Sequence, residues 1–220
     1  MCGKIYRNRI KQKEAVTLKK KRLSGRRPGI IGEESFRKYA VLVPVIDIDG
    51  TAHLLFEKRS PQLRHQPGEI CFPGGKLESG ETLKACAVRE TVEELKVLSD
   101  QIKVIGPGDI YLSPFQLMIH SFIGTIKEYQ DTFSTDEVEA IIKVPLEFFK
   151  TNPPKTYILR LVQEPPENFP YEWIPGGEEY PWIKGNHEIL FYQYGNITIW
   201  GMTAQIAKSA VELMEEYHIG

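Results

Sequence analysis

Three glutamates, Glu90, Glu93 and Glu94, lie at i, i+3 and i+4 within Glu81–Lys96, a run of good helix formers without an internal Gly or Pro. Helical residues step by about 100°, so Glu94 falls roughly 40° to one side of Glu90 and Glu93 roughly 60° to the other. Three carboxylates so close repel one another and destabilise an isolated helix. They either form a solvated acidic face or hold a cation, and the E-x-x-E-E spacing alone favours the first. Oxygen ligands on a rigid helix would suit Mg²⁺ or Mn²⁺, which keep waters and take further ligands from phosphates. Arg89, next to Glu90 and turned toward Glu93, can fork onto a carboxylate. Ala85, Val88, Val92 and Leu95 fall on the opposite side and are expected to anchor the helix in the core.

The flanking chain reads as alternating short elements. Residues 39–50 form an apolar run ending in Asp49-Gly50, a hairpin turn signal, and residues 53–59 are its expected partner. A loop rich in Pro and Gly covers 60–69, followed by a short strand near 70–72. Further strands are expected at 102–105, 117–126 and 156–163, and a pair at 187–193 and 196–200 around Gly195-Asn196. An amphipathic helix over 203–217 closes the chain. These elements predict an α/β/α sandwich, a mixed β-sheet covered by helices. Residues 151–186 carry seven prolines, with Phe169, Tyr171, Trp173, Tyr180 and Trp182 among them, which leaves room for one strand. That segment either covers a site, forms a homodimer interface, or makes a surface excursion with its own aromatic cluster.

The wider spacing around the glutamates decides between the two readings of the acidic face. Gly75, Glu81, Arg89, Glu90, Glu93 and Glu94 fit G-x5-E-x7-R-E-x2-E-E, and the segment resembles the box of the Nudix hydrolase superfamily at all six fixed positions. Two positions depart from the fuller pattern. Thr91 stands where an aliphatic residue is usual, and Lys96 stands where Gly suits a left-handed helix end. Lys96 should therefore cost about 1 kcal/mol or let the helix run on. The resemblance implies a Nudix-type fold over 38–220 and hydrolysis of a nucleoside diphosphate linked to another group. It casts Glu90 and Glu94 as principal metal ligands, with Glu93 supporting and the carbonyl near Gly74–Gly75 adding an oxygen. Glu90, Glu93 and Arg89 would then be catalytic. The general base stays open between Glu90 and an acid of the Asp136-Glu137-Val138-Glu139 stretch.

Upstream, Arg59-Ser60, Arg64, Gly68 and Phe72-Pro73-Gly74-Gly75 fit R-S-x3-R-x3-G-x3-F-P-G-G, which is similar to the coenzyme A diphosphatase branch of that superfamily. Residues 137–146 and 199–204 resemble the same branch. The resemblance implies cleavage of coenzyme A or its esters to 3′,5′-ADP and (acyl-)4′-phosphopantetheine. Arg59, Arg64 and Gly68 would form the substrate-binding loop, with the arginines as phosphate forks. The bland alternative pairs those arginines with Glu57 or Glu69. Other substrates in view are ADP-ribose, NADH and dinucleoside polyphosphates, and a third reading is a non-catalytic binding module.

Composition bounds the rest. Residues 1–27 hold eleven of the 28 Lys and Arg but one acid, Glu14, so 1–37 reads as a basic arm or helix. A solvated leader packing Ile10, Val16 and Leu18 is preferred over an arm that binds nucleic acid or anionic lipid or contacts a polyphosphate substrate. An acid-poor transit peptide is a third reading of the arm. No apolar run is long enough to span a bilayer, and no secretion signal is evident. The odd cysteine count, Cys2, Cys71 and Cys86, fits free thiols in a reducing compartment. The cytoplasm is the expected location.

Overall fold

The computed structural model describes residues 25–26 and 28–219. Expectations for the basic arm up to residue 24, Cys2 included, lie outside the described residues. Two compact units divide the chain at Phe36/Arg37. Among its described residues the first holds one 3₁₀ turn, Glu33–Ser35. The second carries every strand and α-helix described here.

Its main sheet has seven strands. They are β1 (Arg37–Ile48), β2 (Thr51–Arg59), β3 (Ile70–Cys71), β4 (Gly74–Lys76), β5 (Ile102–Leu112), β6 (Leu117–Ile126) and β7 (Val138–Pro145). The order is β3-β2-β1-β6-β5, with β4 on β1 and β7 on β2. β1 runs parallel to β6 over nine residue pairs and antiparallel to β2, so the sheet is mixed. The β1–β2 hairpin turns at Asp49 and Gly50, both with positive φ (50° and 79°), as a two-residue turn matched to strand twist requires.

Strand alternation sends two sets of apolar side chains to opposite faces. Val43, Val45, Leu54 and Phe56 pack with Ile206, Ala207, Ala210 and Met214 of the closing helix α3 (Gly201–Glu216). Phe56 is fully buried and stacks on Phe72 at 4.5 Å, a burial that stabilises the fold by about 2 kcal/mol. On the other face Leu55 and Ile46 meet Leu95 of helix α1 (Leu83–Leu95), and Ala40 meets Cys86 and Ala87. Helices on both faces of a mixed sheet give the expected three layers.

Strands β8 (Lys155–Leu161), β9 (Gly185–Tyr194) and β10 (Ile197–Trp200) form a separate antiparallel sheet. Leu190, Tyr192 and Ile199 join the α3 side of the core. Within 151–186 the regular structure is β8, the end of the short helix α2 (Leu146–Thr151), the start of β9 and two 3₁₀ turns. An aromatic group of Phe169, Tyr171, Tyr180 and Trp182 sits there, with ring centroids 5.0–5.5 Å apart.

Four elements differ from the sequence reading, among them β4, whose glycines pair with β1 where no strand was expected. β5 continues to Leu112 through two register shifts around Gly106, Pro107 and Gly108, which an edge strand tolerates because Pro owes no ladder bond on its open side. β7 and α2 were not evident in the pattern. β7 pairs with β2, some eighty positions earlier in the chain, so its signal is tertiary. No described helix is long and apolar enough to cross a membrane.

Candidate active site

Helix α1 begins at Leu83, two residues beyond the expected start, capped by Thr82, whose Oγ1 accepts from Ala85 N at 3.2 Å. Glu81 stays outside the helix because its carboxylate accepts from Glu78 N at 2.8 Å and takes Arg89. At the other end Lys96 adopts φ 52°, ψ 38°, so the helix stops there and Lys96 bears the left-handed conformation a Gly would take freely. Thr91 is fully buried, and its Oγ1 donates to Ala87 O at 2.7 Å, which satisfies the hydroxyl inside the helix.

The helix is rotated from the expected orientation. Its buried residues are Cys86, Ala87, Thr91, Glu94 and Leu95, whereas Ala85 is exposed and Val88 and Val92 are partly exposed. Small side chains at Cys86 and Ala87 let the helix approach Ala40 of β1. That approach turns the Glu94 edge, not the valine edge, toward the sheet. The three carboxylates therefore do not share one solvent face: Glu94 is buried, Glu90 half-buried and Glu93 exposed.

Two glycines receive these carboxylates. Gly74 N donates to Glu94 Oε2 at 2.8 Å. A Cβ on Gly75 would lie 2.2 Å from Glu90 Oε1, so only glycine leaves room for that side chain. Both glycines are registered against β1, Gly75 opposite Ala40 and Gly74 opposite Val41, which fixes the distance between the turn and the helix. Gly75 O accepts the Cys86 thiol at 3.6 Å.

Arg89 binds its strongest partner outside the helix. Its Nη2 and Nε reach Glu81 Oε1 and Oε2 at 2.9 and 3.3 Å, a two-pronged contact, while Nη1 reaches Glu90 Oε1 at 2.9 Å and Glu93 Oε2 at 3.3 Å. The Arg89 hydrogen bonds hold the Glu81 carboxyl down to about 2. Arg89 thus ties the loop before the helix to two of its glutamates.

Burial and mutual repulsion work the other way on the inner acids. Glu94 is pushed up to about 9, first by burial and then by Glu57, against the Gly74 N–H that favours its charge. Glu90 is raised by burial, and contact with Arg89 offsets part of the shift. Glu57, on β2, is fully buried and pushed up to about 7 by burial, with the Cys71 thiol and Arg59 pulling back. Glu57 is the participant the sequence reading missed, treated only as a surface partner for an arginine. Its signal was an acid directly following the apolar run Leu54-Leu55-Phe56. Among the described residues no three His, Cys, Asp or Glu side chains already converge as a finished metal cage. The donor chemistry nevertheless fits a divalent cation: hard oxygens only, crowded, and destabilised in their charged forms without a positive partner.

Beside these acids lies a cleft of about 610 Å³, lined by Glu90, Glu94, Glu137, Arg59, Arg64 and Gly75 among others. Glu137 is brought to the cleft, and its carbonyl accepts from Ser60 N at 2.8 Å, which pins the 60–69 loop beside it. Glu139 is turned away into a 2.8 Å pair with Lys58. Neither Arg59 nor Arg64 is held in an ion pair among the described residues; Arg59 Nε reaches only His65 O at 3.4 Å. Gly68 does not line the cleft. At φ 73° it turns the loop back, its N–H donating to Arg59 O at 3.1 Å.

The chain is similar to several known proteins. A Nudix hydrolase of Caenorhabditis elegans is 32% identical over 117 residues, covering 49% of this chain and 47% of that protein. A peroxisomal coenzyme A diphosphatase of Mus musculus is 34% identical over 117 residues, covering 52% and 50%. The chain spans about half the length of these two relatives. An uncharacterized Nudix hydrolase of Klebsiella pneumoniae is 30% identical over 175 residues, covering 78% of this chain and 80% of that one. Among solved structures, a C. elegans Ap4A hydrolase aligns with a TM-score of 0.44 and 21% identity over 52% of this chain and 84% of that one. The family model of the NUDIX domain matches residues 36–175. With that match covering well over half of its length, the chain belongs to the NUDIX domain family.

Proposed function

We propose that the protein is a divalent-cation-dependent pyrophosphohydrolase that cleaves coenzyme A or a CoA ester to 3′,5′-ADP and (acyl-)4′-phosphopantetheine. The observation that carries the reading is the meeting in one cleft of Glu90, Glu94 and Glu137 with Arg59 and Arg64, two guanidinium groups held in no direct ion pair among the described residues. Such a cleft suits a polyphosphate bridged to a cation, with further phosphate oxygens left for the arginines. Coenzyme A has a pyrophosphate and a separate 3′-phosphate, and the name of the mouse relative points to the same substrate class.

Glu90 and Glu94 would hold the cation, with Glu93 supporting and the Gly75 carbonyl adjoining. Mg²⁺ or Mn²⁺, when bound, neutralises pyrophosphate charge and acidifies a water. The chain's own groups do the rest. Arg89 holds Glu90 and Glu93 in place through Glu81. Glu137 faces the cleft and, with Glu90, is a candidate to take the proton of the attacking water. Arg59 and Arg64 orient the substrate, the first on the pyrophosphate and the second on the 3′-phosphate.

The test compares kcat/KM for coenzyme A and dephospho-coenzyme A in wild type and Arg64→Ala. A lost charge-assisted contact should cost coenzyme A about 10- to 100-fold and leave dephospho-coenzyme A nearly unchanged. Equal losses on the two substrates remove Arg64 from the 3′-phosphate. A wild type that turns over neither compound removes the substrate assignment.

A further inference from the structure

Glu57 lies outside the helix motif, in the interior of the sheet. Its backbone is registered between Cys71 of β3 and Ile141 of β7, and its side chain is fully buried. The side chain shares a strand face with Leu55, which packs on Leu95 of α1, and this places the carboxylate beside the helix edge that carries Glu94. Cys71 Sγ donates to Glu57 Oε1 at 3.3 Å. Burial pushes the Cys71 thiol well up, so it stays a proton donor and fixes the carboxylate's orientation. The second oxygen, Oε2, is fully buried and has no hydrogen-bond partner.

An orphaned carboxylate oxygen in the interior is costly, and interiors seldom keep one without a use. Among the described residues the charges acting on Glu57 are mostly of its own sign, from Glu137, Glu90 and Glu94, with Arg59 opposing them. Lys58, next in sequence, is engaged with Glu139. A small cation would answer both the orphaned oxygen and the like-charge crowding.

We propose that Glu57 is a further carboxylate of the divalent-cation site, presenting Oε2 to the same ion as Glu90 and Glu94. This rests on the cation-dependent reading above and extends its ligand set from the helix to the sheet. Cys71 is then a positioning residue that acts through Glu57 Oε1.

The test needs no substrate. Mn²⁺ binding is measured by electron paramagnetic resonance titration of wild type, Glu57→Gln and Glu57→Asp, alongside thermal melts with and without Mn²⁺. The expected result is a Kd at least about tenfold weaker for Glu57→Gln, with a metal-free Tm at or above that of wild type and a smaller rise on adding Mn²⁺. Glu57→Asp, which keeps the charge but shortens the reach, should fall between the two. A Kd for Glu57→Gln within twofold of wild type overturns the proposal. So does a wild-type Kd for Glu57→Asp if the glutamine variant does not fold. If wild type itself binds no Mn²⁺, the cation-dependent reading falls with it. If wild type binds and the variants match it, only the role of Glu57 falls.

Discussion

Gly75 and Glu90 touch so closely that a single methyl group on the glycine would stand 2.2 Å from the glutamate's Oε1. The obstructed atom is the end of a side chain, which can swing away, so the fold should survive Gly75→Ala. We expect a stability change within about 1 kcal/mol but a loss of turnover of about 100-fold, because Glu90 leaves its place. The neighbouring Gly74→Ala is the contrast. Its Cβ would meet Ala40 O at 2.4 Å and Val41 Cα at 2.6 Å, backbone atoms that cannot step aside. Destabilisation of about 2 kcal/mol or more should follow, read by urea melts of the two variants.

The Glu81–Arg89 contact predicts an acid response. Glu81 has its carboxyl lowered from the ordinary 4.5 to about 2 in the folded chain. Its contribution is complete above the unfolded value and is lost as pH falls from about 4.5 through about 2. Glu81→Gln should therefore destabilise the protein at neutral pH and flatten its acid-induced loss of stability in that window. Melting temperatures of both proteins from pH 7 to pH 2 check this, and parallel curves would contradict it.

How far the sequence revealed the site follows from where each signal lives. The helix and the crowding of its acids are local, and periodicity exposed them, whereas the glycine turn was read from the resemblance to the Nudix box. The helix's rotation was not local. It depends on Cys86 and Ala87 being small enough to seat against Ala40, more than forty positions earlier, and no moment calculated along the helix contains that fact. Glu57 was hidden for a related reason. An acid that ends an apolar run and is followed by Lys58 and Arg59 reads as a surface residue, and only the folded chain shows it fully buried. The edge strand β5 was cut short because Gly106-Pro107-Gly108 reads as a break, whereas bulges carry it through. Residues 151–186 gave up their single strand to proline counting, but not its place in a second sheet.

Lys96 is a place where the chain departs from the fuller motif at a measurable cost. With φ at 52°, its side chain crowds the backbone in a way a glycine would not. Lys96→Gly should raise stability by about 0.5–1 kcal/mol and leave turnover unchanged, since Lys96 contributes nothing to the cleft. Denaturant melts and a rate assay suffice to check both halves.

Glu94→Gln separates stability from function. Burial and Glu57 both oppose the Glu94 charge, so the metal-free variant should melt at or above the wild-type temperature. Turnover should fall at least about 100-fold, because the change removes a charged oxygen from the proposed cation site. Near-normal Mg²⁺-dependent turnover would remove Glu94 from that site.

The central claim is tested most directly by separating the products after incubation with Mg²⁺ and, in parallel, coenzyme A, dephospho-coenzyme A, ADP-ribose, NADH and diadenosine tetraphosphate. The account predicts that 3′,5′-ADP appears from coenzyme A far faster than any product from the others. Faster cleavage of another compound would contradict the substrate and leave the pyrophosphohydrolase chemistry standing. No cleavage with either Mg²⁺ or Mn²⁺ would contradict the claim itself.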